Sequence, residues 1–95
     1  MADKNLSAVR VPDPASLTEH ELQLGVVDIL GAALQTGDVI HFLGQPHRID
    51  SLPPYEGPLV HDGTYPPGTR VAYADGGRWG MTVSSTAYIR CLPRP

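Results

Sequence analysis

GDVIHFLGQPHRIDSL, residues 37–52, reads as two extended segments folded back on each other. Val39–Leu43 is an apolar run halted by Gly44-Gln45-Pro46, and a second run, His47–Leu52, follows at once; that spacing is a hairpin signal. The same pattern recurs downstream. Arg70–Ala74 puts Val71 and Tyr73 on one face, and Asp75-Gly76-Gly77 supplies the positive φ angles of a tight turn. Trp79, Met81 and Val83 then share a face of the returning strand, with Gly80 and Thr82 on the other. Ala87, Ile89 and Cys91 alternate with Tyr88 and Arg90 in a last strand. The expectation is a mainly β fold of five to six short strands curled into a small barrel, because closure removes the edges that recruit other chains.

Upstream the signal changes. Ser16 with Glu19, and Thr18 with Glu21, have capping-box spacing, and Leu22, Val26, Ile29 and Ala33 fall on one helical face, with Gly37 at the end of that face. Gly25 and Gly31 oppose a long helix at about 1 kcal/mol each, and Val26, Val27 and Ile29 suit a strand. The reading is a short helix followed by a strand near 26–30. Before it, Pro12 and Pro14 hold the chain extended around Asp13, so residues 1–15 are expected to form an arm and 16–95 a single domain.

Between the two hairpins lies PPYEGPLVHDGTYPPGT, residues 53–69, with five prolines and three glycines. It can be neither a helix nor a central strand. Loops this long in small domains are often functional, and its prolines lower the entropy lost on ordering.

Composition excludes several classes. The 95 residues allow one core. The net charge of −3 divides as −2 over residues 1–25 and −1 over 26–95, so neither part has the clustered positive charge of a nucleic-acid binder. No apolar stretch has the length of a membrane span, and the first fifteen residues lack a signal-peptide core. One cysteine, Cys91, precludes an internal disulfide, which suits a reducing compartment; a cytoplasmic location is expected.

Two resemblances attach to these motifs. LQTGDVI, residues 34–40, resembles the turn into a strand that opens many SH3-like barrels and Hint-type modules. The Hint resemblance implies no activity, because that family's nucleophilic Cys or Ser at the start and its His-Asn pair at the end have no counterpart here. GDVIHFLGQPHRI (37–49) with RVAYADGGRWGMT (70–82) resembles small uncharacterised proteins of actinobacteria and their phages. That resemblance implies an SH3-like fold and a place in the host cytoplasm or a virion, and carries over no site residue.

No catalytic motif or cofactor signature emerges. His41, His47, His61 and Asp62 could converge at a barrel rim and hold a metal or small molecule, but their spacing matches no zinc signature. Cys91, alternating with Ile89, reads as a buried thiol. The better candidates are interface residues: Tyr55, Glu56 and Tyr65 in the Pro-rich loop, Tyr88, and a polar rim of Arg48, Arg70, Arg78 and Arg90. Trp79 is assigned to the core with Met81 and Val83. The expected function is non-enzymatic binding of a protein partner, as an accessory, regulatory or phage-encoded structural protein; the alternative is a metal- or small-molecule-binding barrel, with or without enzyme activity, built on the histidines.

Overall fold

A computed structural model describes residues 8–58 and 63–94. Its strands are β1 (Val9–Arg10), β2 (Val27–Leu30), β3 (Val39–Phe42), β4 (Gln45–Ser51), β5 (Arg70–Ala74), β6 (Trp79–Val83) and β7 (Tyr88–Cys91), and α1 (Glu19–Leu24) is a short α-helix before β2. The strands form one antiparallel sheet in the order β1-β2-β7-β3-β4-β5-β6. The mainly β character stands. The five- to six-stranded closed barrel is corrected to a seven-stranded sheet that is not closed, with β1 and β6 at its ends. The extra strand is β1, where Val9 pairs with Ile29 and Arg10 with Asp28. Two residues before Pro12 gave no periodicity from which that pairing could be read.

Local chemistry accounts for the elements. Thr18 caps α1: its hydroxyl accepts from the Glu21 amide at 3.1 Å, and the Glu21 carboxylate accepts from the Thr18 amide at 3.0 Å. Ser16 instead closes a single 3-10 turn, Pro14–Ser16. The helix stops at Gly25, whose φ of 70° is left-handed, so this glycine is a cap and Gly37 is not. The β3–β4 hairpin closes through Leu43 and Gly44 at φ 52° and 78°, the pair of positive values that a type I′ turn requires. Leucine in that conformation costs about 1 kcal/mol.

One face of the sheet carries the core. Ile29, Ile40, Ile49, Ala72, Val83, Ile89 and Cys91 are buried together with Leu34, while Trp79 and Met81 pack half-buried against them. Trp79 pairs with Ala74 and Met81 with Ala72, so two small residues leave room for two large side chains on the neighbouring strand. The sheet curls until the end of β6 reaches the turn after β2. There Gly31 lies so close to the Ser84 carbonyl and the Val83 side chain that a Cβ would collide with both. The Gly31 amide donates to Ala87 O at 2.7 Å, and Ala32 donates to Ser85 O at 3.1 Å. Gly31→Ala should therefore destabilise the fold by about 2 kcal/mol or more, as expected of overpacking, read as a lower urea midpoint with an unchanged slope.

Candidate functional site

The two faces of the sheet carry different chemistry. Opposite the core, Asp28, His41 and Arg90 lie beneath α1. Arg90 Nε donates to Asp28 Oδ1 at 3.1 Å, and its Nη1 stands 3.7 Å from Glu21 Oε2. His41 Nδ1 is 3.6 Å from the same Glu21 oxygen. Arg10 adds a contact 3.7 Å from Asp28 and lays its guanidinium 3.6 Å over the Tyr88 ring. The Glu21 carboxyl is held below its ordinary value chiefly by the Thr18 amide; burial opposes this, and the Arg90 and His41 charges assist. The arrangement resembles a carboxylate-oriented histidine, but His41 Nε2 is buried and has no hydrogen-bond partner. That nitrogen is enclosed by the fold and faces no cleft among the described residues. The cluster is a structural fastening for α1.

A second charged centre sits at the chain end. Arg94 donates from Nε and Nη2 to the two Asp38 oxygens at 2.8 and 2.9 Å, and from Nη2 to Ala33 O at 3.0 Å. Burial would raise the Asp38 carboxyl; Arg94 and the Gln35 amide outweigh it and hold it low. The cleft beside it, about 340 Å³ and bordered by Arg48 and Leu92, therefore presents a carboxylate already neutralised.

The interface residues expected from sequence do not form one surface. Arg70 points inward, its Nη2 donating to Gly31 O at 2.7 Å and Leu34 O at 3.0 Å, so it is a structural tie. Tyr88 lies under Arg10, on the face opposite Trp79, and β3, β4 and β5 separate their strands. Arg48 is exposed and donates to Gly37 O at 3.4 Å, and Arg78 is exposed at the end of the β5–β6 turn. Tyr55 and Tyr65 are half-buried and meet edge to face at 5.4 Å, while Glu56 is exposed beside them. Their loop is fastened to the start of β5 by Tyr55 N to Thr69 O at 2.9 Å, and Ser85 Oγ donates to Pro67 O at 2.8 Å just beyond β6.

The histidines divide as well. His41 pairs with Pro46 and His47 with Ile40, so adjacent register positions send the two rings to opposite faces. His61 and Asp62 lie outside the described residues. Among the described residues no three of His, Cys, Asp and Glu are grouped as a metal would need.

What the tertiary structure does bring together is an aromatic cluster at the open end of the core face. His47 stacks on Trp79 with ring centres 4.0 Å apart and planes 6° apart, and Phe42 is tilted against the indole at 6.1 Å. Phe42 is 41% exposed and the neighbouring Leu43 84% exposed. His47 Nδ1 stands 3.4 Å from Asp75 Oδ2. The edge of β6 begins at Trp79 and ends beside the Pro-rich loop. The sequence signal for this site was the apolar Phe42-Leu43 pair directly before Gly44. The hairpin is expected there, but in sequence the pair counts only as the end of an apolar strand and not as an exposed tip.

No protein-family profile, curated protein or solved structure matches the chain.

Cys91 is shielded by the core, and burial together with the Asp38 charge pushes its thiol up to about 12. A thiol reagent at pH 8 should leave the folded protein unlabelled and modify it only once urea has unfolded it.

Proposed function

We propose that this chain is a non-enzymatic protein-binding module that takes an extended segment of its partner along the outer edge of β6. The observation that carries this reading is Leu43, 84% exposed and held at φ 52° beside a half-exposed Phe42–Trp79–His47 cluster. Strain and apolar exposure at one hairpin tip cost stability twice, and such costs concentrate where a surface is used.

Three further features support it. β6 ends the sheet, and an antiparallel edge strand presents unpaired N–H and C=O groups along its outer side. Its residues, Trp79-Gly80-Met81-Thr82-Val83, include neither a charge nor a proline to guard that edge. The edge also links both aromatic groups, with Trp79 at its start and the Tyr55–Tyr65 loop beyond its end. A partner strand added there would gain main-chain hydrogen bonds from β6 and side-chain anchoring at either end.

No helix among the described residues is long and apolar enough to cross a membrane. An SH3-like kinship belongs to the same proposal and is supported by the successive hairpins β3–β4 and β5–β6. So does the accessory role expected of small proteins of actinobacteria and their phages.

Peptides selected for binding from a random display library test the reading. Leu43→Asn should weaken the selected peptides at least about tenfold, the scale of an interface hot spot, while leaving thermal stability unchanged or raised. Amide exchange at Trp79–Val83 should slow on peptide addition. Peptides that bind Leu43→Asn as tightly and leave β6 exchange untouched would remove the edge from consideration; Tyr55→Ala and Tyr65→Ala then report whether the loop acts alone.

A further inference from the structure

We infer that the stack of His47 on Trp79 is a pH-responsive latch on the surface proposed above, closed when His47 is protonated. The consequence for binding rests on that proposal; the latch itself is a property of the free chain.

The geometry comes from three elements. β4 places His47 on the core face, where its side chain is largely buried. On β5, Ala74 is too small to fill the space opposite Trp79, so the indole reaches across it to lie parallel to the imidazole at 4.0 Å. The β5–β6 turn holds the Asp75 carboxylate 3.4 Å from Nδ1, and that turn is anchored by Gly76 N donating to Asp50 Oδ2 at 3.0 Å. The groups around the ring are thereby defined. Ile40 and Phe42 from β3 and Ala74 from β5 do not titrate; the turn contributes Asp75 and, exposed at its end, Arg78; β6 contributes the indole.

Imidazole is the side chain that changes charge between about pH 5 and 8. Neutral, His47 makes a ring-on-ring contact with Trp79. Protonated, it becomes a cation against the indole face, and its contact with Asp75 becomes an ion pair. Both changes hold Trp79 down over Ala74. The indole is the anchor at the start of the β6 edge, so acid closes the latch and restrains that anchor, while neutral pH frees it to turn toward a partner.

Trp79 is the only tryptophan in the chain, so fluorescence excited beyond the absorption band of the four tyrosines comes from this indole. An imidazolium touching an indole quenches its emission. The emission of the free protein should fall along a one-proton curve as pH is lowered from about 8 to 5. His47→Phe keeps a stacked ring without a charge and should abolish the curve. Asp75→Asn suits the left-handed backbone at that position (φ 55°) and, by removing the carboxylate that pairs with the charged ring, should loosen the closed stack, read as a smaller fall in emission at pH 5. A flat response in the native chain, or an unchanged curve in His47→Phe, would overturn the latch. Should His47→Phe fail to fold, an Asp75→Asn emission curve identical in size to the native one overturns it as well. A proper curve in a protein that selects no peptide leaves the latch standing and removes the docking surface. Where peptides are selected, they should bind more tightly at pH 8 than at pH 5.5; equal affinity overturns the link between latch and binding.

Discussion

The Arg70 side chain, together with the Gly31 and Ala32 amides that donate to Ala87 O and Ser85 O, ties the far side of the curled sheet to the segment after β2, where no strand pair is formed among the described residues. Its guanidinium crosses from the first residue of β5 to the carbonyls of Gly31 and Leu34, which end the segment after β2. Gly31 O accepts from the Leu34 amide within a 3-10 turn and Leu34 O lies just after it, and one charged nitrogen, Arg70 Nη2, donates to both from across the core. Gly31 lets the Ser84 carbonyl and Val83 approach where any side chain would hold them off. The arrangement draws the apolar faces of both hairpins around Ile29, Ile40, Ile49 and Ile89 without using the outer backbone groups of β6. Among the described residues no strand pairs with that outer side, and the binding surface proposed for this protein depends on it.

The remaining polar groups divide into those that fasten and those that stay available. Arg90, Arg10, Asp28 and Glu21 saturate one another beneath α1, and Arg94 saturates Asp38. Removing one partner of such a pair costs more than the pair contributes, because the other is left buried and unpaired. These residues therefore explain how a chain this short keeps a helix and a terminus in place; they leave little charge free for chemistry. His47 differs. Its partners are a ring and a half-exposed carboxylate, both of which accept either protonation state.

Sequence reading was most successful where one residue type has one physical use. The Thr18–Glu21 box, the alternation of Ile89 and Cys91, the turn at Asp75-Gly76-Gly77 and the packing of Trp79 with Met81 all follow from local periodicity or turn chemistry, and the structure places them accordingly. It was least successful for arginines. Arg70 and Arg78 look alike along the chain, yet one is a tie across the core and the other is exposed at a turn. The difference lies in which carbonyls stand opposite, and those come from residues 31 and 34, far away in sequence. His41 and His47 were grouped by proximity and type, but a two-residue turn sets a register that sends them to opposite faces.

What the sequence by itself determined is the β character of the second half, the short capped helix and the inert cysteine. Alternation, capping and apolar flanks act over a few residues and do not depend on the rest of the chain. What only the tertiary structure decided is that the sheet has seven strands and stays open, and that Phe42, His47 and Trp79 from three strands meet at one end of it. Strand order and curl arise from contacts between distant segments, with Val9 against Ile29 and Arg70 against Gly31 among them. No local pattern encodes which pair of edges will be joined and which will be left to meet something else.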